Sequence, residues 1–301
     1  MIRVGPAGWS YADWAGIVYP GRKPAGFHEA AYLSEFFDTI EINTSFYQPL
    51  RPDHCRHWIE LVSANPRFLF TAKLWQKFTH EENSSAEDER AVRAGFDVLR
   101  NAGKLGAVLL QFPFSFHRTD ENIAYLSKLL KQFSDYPLVV EVRHATWNDK
   151  AFYAMLHERG VGFCNIDQPV IGKSLHPTEH VTTPVGYVRL HGRNYEHWFT
   201  SQEHPEERYN YLYSTEELEA WAGRTANIAQ NADITFVITN NHFEAKAVAN
   251  AFQLTAILKR EPVRVPEQLC ERYPRLGAIT LPPAHAPEPL QGSLQFESTQ
   301  P

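Results

Sequence analysis

The segment Leu138-Val139-Val140-Glu141-Val142-Arg143-His144-Ala145-Thr146-Trp147 sets a carboxylate and a guanidinium two positions apart inside an apolar, β-branched run. Residues i and i+2 of a strand share a face, so Glu141 and Arg143 lie together, with Leu138, Val140 and Val142 opposite. Burying such groups is costly unless they are matched, which points to a requirement of the protein's chemistry. The arrangement recurs. Tyr187, Arg189 and His191 alternate with Val188 and Leu190, and Glu41 and Asn43 alternate with Ile40 and Ile42. Thr71 and Lys73 close a third run, while Gln111, Asp167 and Asn240-Asn241-His242 finish three more. Residues of these types support acid–base work by Glu41, Glu141, His191 and His242. Lys73, Arg143 and Arg189 would hold a phosphate or carboxylate, the arginines in bidentate fashion. Asn43, Gln111, Asp167, Asn240 and Asn241 would complete the binding surface. His144, opposite in phase to Arg143, joins it as a supporting partner. Trp9, Trp14 and Trp147 read as rim packing, with stacking on a ligand as the second reading for each, and Trp9 is counted with the binding surface.

The elements that must position these groups are legible from periodicity. Strand-like runs cover 2–9, 39–43, 68–73, 106–113, 138–143, 161–167, 185–192 and 234–241. Helical patterns cover 27–37, 55–62, 81–103, 122–133, 149–159, 215–231 and 244–259. In the first strand, Gly5-Pro6-Ala7-Gly8 is expected to leave open space. Eight strands with mostly helical returns imply parallel pairing and a single-domain α/β fold, the (β/α)₈ TIM-type barrel, which typically takes about 250 residues. A doubly wound open sheet fits less well, because no strand leads into a glycine-rich phosphate loop. The polar strand ends then gather at the C-terminal face, where barrel active sites lie.

The barrel domain is expected over 1–273, with a long insertion at 192–214 between the seventh strand and its helix. The insertion carries Tyr195, Trp198, Phe199, Tyr209, Tyr211 and Tyr213 beside Glu196, Glu203, Glu206 and Glu207. A loop of this length reads as a lid, and its acidic residues count against a phosphate-backbone track. Residues 274–301 form a proline-rich tail that is expected to wrap the surface or be disordered. Of the 301 residues, 43% are hydrophobic and 21% charged, and the formal charge is −6. That balance disfavours nucleic acid and anionic membrane as general partners and leaves a small anionic ligand as the expected one. Cys55, Cys164 and Cys270 show no metal or redox spacing, and no apolar run is long enough to span a bilayer. Cytoplasmic placement is the expectation, and neither a cofactor nor a metal is assigned.

Several blocks together resemble one family. They are residues 5–14, Glu41-Ile42-Asn43-Thr44-Ser45-Phe46-Tyr47, Leu109-Leu110-Gln111-Phe112-Pro113, 141–147, Tyr187-Val188-Arg189-Leu190-His191-Gly192-Arg193 and Asn240-Asn241-His242. The family is the YecE-like group, domain of unknown function 72, and the resemblance spans roughly 2–258. It implies a TIM-type barrel and supplies no reaction. Pro6 and Ser45 stand where threonines are expected, and Asn210 where an aspartate is usual, so position 210 receives no acid–base role.

Three readings of function compete with a purely structural layer of buried charges. The first is an enzyme acting on a small anionic substrate. The second is a metal-dependent hydrolase or isomerase, similar to endonuclease-IV-like barrels at fold level, with Glu41, Glu141, Asp167, His191 and His242 as ligand types. Three cations in one mouth oppose that reading. The third is a non-catalytic binder of nucleotides or nucleic acid that uses the aromatic rim.

Overall fold

The computed structural model describes residues 1–198 and 205–281. Phe199 and Glu203 of the insertion, and residues 282–301 of the tail, lie outside the described residues. The eight strands are β1 (Ile2–Pro6), β2 (Thr39–Ile42), β3 (Leu69–Lys73), β4 (Leu105–Gln111), β5 (Leu138–Glu141), β6 (Gly162–Asp167), β7 (Val185–Leu190) and β8 (Ile234–Thr239). They pair in parallel in the order β1-β8-β7-β6-β5-β4-β3-β2. The two ends meet at a parallel bridge between Ala7 and Glu41, where the Gly8 N–H donates to the Glu41 carbonyl at 2.8 Å. The sheet is therefore a nearly closed barrel, as its alternation predicts.

Helices α1 (Glu29–Ser34), α2 (Pro52–Leu61), α3 (Gln76–Thr79), α4 (Ala86–Asn101), α5 (Asp120–Gln132), α6 (Lys150–Glu158), α7 (Thr215–Gln230), α8 (Lys246–Lys259) and α9 (Glu267–Arg272) surround it. Their starts follow from side chains that satisfy the free N–H groups of a first turn. Ser85 and Ser214 form capping boxes with Asp88 and Glu217, and Thr119 and Asp149 cap α5 and α6. α8 starts two residues later than periodicity suggests, because Glu244 and Ala245 sit at φ +48° and +63°, a left-handed geometry no helix continues.

The crossover from β6 to β7 has no helix. Residues 168–184 cross as an irregular segment that turns at 171–174 and is fastened by Asn165, which points outward from β6. Its amide donates to the His180 carbonyl at 2.9 Å, and its Oδ1 accepts from Thr178 Oγ1 and the His180 N–H, both at 2.8 Å. At the C-terminal end, packing continues past the expected boundary at 273. A short 3₁₀ helix, Pro274–Ile279, buries Leu276, and Thr280 bridges Val263.

Gly5 corrects the expectation of open space. A Cβ at this position would overlap the carbonyl oxygen of Thr39, so glycine is there to let β1 approach β2 closely. Gly106 plays the matching part at the barrel floor, where a Cβ would strike the Phe236 ring that fills the interior. Because Glu41 follows Thr39 by two residues, the same seam fixes a candidate site carboxylate. Gly5→Ala should therefore destabilise by about 1–3 kcal/mol through overpacking, measured as a lower urea midpoint. An unchanged midpoint would show that the seam opens freely.

Candidate active site at the barrel mouth

Arg189 occupies the barrel interior with no solvent exposure and joins strands that face each other across it. Its Nη1 donates to Glu141 Oε2 at 2.6 Å and to Gln111 Oε1 at 2.9 Å, while Nη2 donates to Glu41 Oε1 at 2.8 Å. Both glutamates are wholly buried. The Tyr187 hydroxyl donates to Glu41 Oε2 at 3.0 Å and lies 2.9 Å from Thr71 Oγ1, so β2, β3 and β7 meet around one carboxylate. Glu141 Oε1 takes Arg143 Nε at 3.1 Å and His191 Nε2 at 3.1 Å. The other ring nitrogen, Nδ1, faces the Asn240 amide at 3.0 Å. An ionised Glu141 accepts from Nε2–H, which leaves Nδ1 to accept from Asn240 and fixes the tautomer.

Above and beside this layer lies a cavity of about 550 Å³ lined by residues 8–11, Asn43, Thr44, Tyr47, Trp58, Lys73, Glu206, Tyr209, Asn240 and His242. Its walls are largely aromatic. Tyr11 stacks on His242 with centroids 4.5 Å apart, Tyr209 lies 4.8 Å from the same imidazole, and Trp9 meets Trp58 edge-on at 5.2 Å. The Asn43 amide donates to the Tyr11 hydroxyl at 2.6 Å. Lys73 belongs to both regions. Its Nζ lies 3.3 Å from Glu41 Oε1, and the residue lines the cavity. Its backbone N–H is held by Ser45 Oγ at 2.8 Å, which explains a hydroxyl at position 45.

The expected residues divide into those the barrel brings together and those it sends elsewhere. Glu41, Glu141, His191, Arg143, Arg189, Lys73, Gln111 and Asn240 converge. Trp9, Asn43 and His242 line the adjoining cavity. Asp167 does not face the mouth. Cys164, three residues earlier, points inward with its thiol 3.9 Å from Glu141, so Asp167 falls on the outer face by the period of two. There it receives Arg193 Nε at 2.9 Å and the Tyr213 hydroxyl at 2.6 Å. Asn241 is likewise turned outward, to the Tyr211 carbonyl and Asn250 Oδ1, both at 2.8 Å. His144 caps the short turn after β5 through the Thr146 N–H and packs 4.0 Å from His117, away from the cavity. Arg189 is in place but wholly enclosed, so it holds carboxylates rather than a ligand. Tyr47 and Trp58 were not read as site residues: one follows β2 in a short turn and the other sits on α2, where apolar spacing alone predicts packing.

The insertion roofs the mouth. Trp198 lies over Arg143 at 5.8 Å and 6.2 Å from the His191 ring. It is anchored by Asp167 through Arg193, whose Nη1 also reaches Glu217 Oε1 at 2.9 Å. Gly192 turns the chain at φ +91°, where a Cβ would collide with Tyr211.

Burial alone would raise both interior carboxyls. At Glu41, Arg189 and then Lys73 outweigh it and hold the group below the ordinary carboxylate range. At Glu141, Arg189, His191 and Arg143 do so more strongly. Burial pulls Lys73 down to about 8, against the attraction of Glu41. Burial also pulls His191 and His242 down to about 4, so both are neutral near pH 7. His80, beyond β3, is pulled to about 4 by burial and by Arg143. With Asp167 paired elsewhere, the interior layer holds, among the described residues, the ionised carboxylates Glu41 and Glu141 and the cations Lys73, Arg143 and Arg189, with Glu206 on the wall of the adjoining cavity.

The family model described as "Protein of unknown function DUF72" matches residues 3–274. The chain is similar to the UPF0759 protein YunF of Bacillus subtilis, 30% identical over 278 residues that cover 87% of this chain and 96% of that protein. Among solved structures, a DUF72 family protein from Thermotoga maritima superposes with a TM-score of 0.74 at 31% identity, covering 86% of this chain and 99% of that one. A DUF72 family protein from Enterococcus faecalis gives 0.73 at 25% identity, over 86% of this chain and 96% of its own. Among the described residues, no helix is long and apolar enough to cross a membrane.

Removing Arg189 strands two buried carboxylates, so Arg189→Met should cost about 3–5 kcal/mol, measured by chemical denaturation. Near-wild-type stability would show that the triad is not the framework. The His191 imidazole has a folded-state value near 4, below its ordinary 6.5, so the unfolded chain binds the extra proton between those limits. Stability should therefore fall as pH drops through that window. His191→Gln should lose about 2 kcal/mol less than wild type between pH 7 and pH 5, and parallel losses would refute the assignment.

Proposed function

The chain belongs to the DUF72 family, and from that premise we propose that it is an enzyme acting on a small substrate bearing a phosphate or carboxylate. The observation that carries this reading is the pair of partly exposed cations at the mouth, Arg143 and Lys73, set beside an interior layer in which Arg189 already bridges Glu41 and Glu141. Of the three, Arg189 is enclosed, whereas the Arg143 and Lys73 side chains retain 13% and 9% exposure. Arg143 can turn the outer edge of its guanidinium to an anion while Glu141 holds the inner one, a geometry suited to bidentate binding. The uncharged part of the substrate would occupy the aromatic cavity, whose 550 Å³ lies within the range of small-molecule sites.

Acid–base chemistry in this reading falls to the groups that reach the cavity. Lys73 with Glu41 behind it forms one proton-transfer pair, and the neutral imidazole of His242 is a second candidate acid or polarising group. His191 has both nitrogens engaged and Glu141 accepts from three side chains, so these two position Arg143 and Arg189. Glu206 at the cavity rim and the net charge of −6 favour a small anion over a nucleic-acid backbone. Cytoplasmic placement accompanies this reading as part of the proposal.

Arg143→Ala should leave Glu141 paired with Arg189 and His191, and so leave the protein folded. Calorimetric titration with inorganic phosphate at low ionic strength should show binding to the wild type and at least about a tenfold loss in the variant, the order expected for one charge-assisted contact. Equal affinities, or a wild type that binds no phosphate, would refute the reading.

A further inference from the structure

Lys73 differs from the other two cations of the mouth in chemistry as well as in exposure. It is the one of the three that lines the cavity, and its ammonium pairs with Glu41 at 3.3 Å, through an oxygen that Arg189 already holds at 2.8 Å. The Phe46 ring covers another side, 5.7 Å from Nζ. Arginine remains protonated under all ordinary conditions, whereas an amine enclosed this way can lose its proton and attack carbon.

We propose that Lys73 is a covalent catalyst, forming a Schiff base with a ketone or aldehyde carbon of the anionic substrate bound in this cavity. The inference rests on the anionic-substrate reading above and deepens it by naming the reactive group of the substrate. The Lys73 ammonium first passes a proton to Glu41. The free amine then adds to the carbonyl carbon, forming the C–N bond, and its displaced proton goes to the carbonyl oxygen to give a carbinolamine. Glu41 returns the first proton to that hydroxyl, which leaves as water, and the nitrogen lone pair forms the C=N bond of a cationic imine. The sum is ammonium plus carbonyl giving iminium plus water, with no oxidant or reductant. Arg189 and Tyr187 keep Glu41 oriented throughout. The Asn43 and Asn240 amides line the same cavity, within the space the carbonyl oxygen would enter.

The surroundings support a reactive amine. Burial is the largest influence on Lys73 and lowers it to about 8, with Glu41 and Glu141 opposing and Arg189 adding to the effect. Relative to a solvated lysine, that raises the free-amine share at pH 7 by roughly two to three hundredfold.

The test is reductive trapping on the full chain. Dihydroxyacetone phosphate or pyruvate is incubated with the protein and sodium cyanoborohydride, and the product is mapped by peptide mass spectrometry. The expected result is one secondary-amine adduct at Lys73, at least about ten times the yield at Lys77 or any other lysine, given the free-amine share. Lys73→Arg should abolish it, since an arginine cannot form the imine. Absence of an adduct, or label spread evenly over the lysines, overturns the proposal. The wild-type map decides this even where the variant fails to fold. If phosphate binds and no adduct forms, the covalent step alone falls; if phosphate does not bind either, the anionic-substrate reading falls with it.

Discussion

The bridge from Arg189 to Glu41 and Glu141 is the constraint around which the rest of the molecule is arranged. A guanidinium between two carboxylates carries a net negative charge in a wholly buried place, and such a group is stable only if the surplus is answered nearby. Lys73 answers at Glu41 and Arg143 at Glu141. The remaining oxygen positions are filled by the Tyr187 hydroxyl and the His191 imidazole. Lys73, Arg143 and His191 come from a strand end or the turn after it and Tyr187 from within β7, so the barrel must bring these strands into register. The seam at Gly5 is one such requirement, because it brings β1 against β2 and sets the depth of Glu41.

That framework divides the charged groups by accessibility. Desolvation fixes Arg189 and both glutamates in place; Glu141, held by Arg189, Arg143 and His191, is poorly placed to exchange a proton, whereas Glu41 keeps the Lys73 ammonium as its exchangeable partner. The groups at the cavity wall are fewer and looser: Lys73 and His242, with Asn43 and Asn240 as neutral dipoles. Preorganised surroundings with one movable proton are a common arrangement for catalysis, since the rigid part need not reorganise during reaction. The aromatic lining contributes shape and a low-dielectric wall, which strengthens the attraction between the mouth and an anion.

The fold and most of the charged layer were legible because period-two alternation in parallel strands assigns faces directly. Glu41, Glu141, Tyr187 and Arg189 share the interior for that reason. The errors arose where the strand ended. Asp167 and Asn241 were grouped with the mouth by position at a strand end, though their phase set them outward onto the insertion and α8. Asp167 matters nonetheless, since its pairing with Arg193 ties down the base of the roof that carries Trp198 over Arg143. The cavity itself was less visible. Tyr47 and Trp58 reach it from a short turn and a helix, whose tertiary placement no local pattern encodes.

The identity of residue 73 follows from the same geometry. An arginine there would present a second fork to Glu41, competing with Arg189 for an oxygen already held at 2.8 Å. It would also add a permanent charge to a region where burial disfavours one. Lysine is a point charge on a flexible stem that can pair with Glu41 at 3.3 Å, withdraw into the cavity, or give up its proton. The chain thus places arginine where a carboxylate must be held and lysine where the interior opens onto space for a ligand. A layer meant only to neutralise buried charge would gain nothing from that distinction.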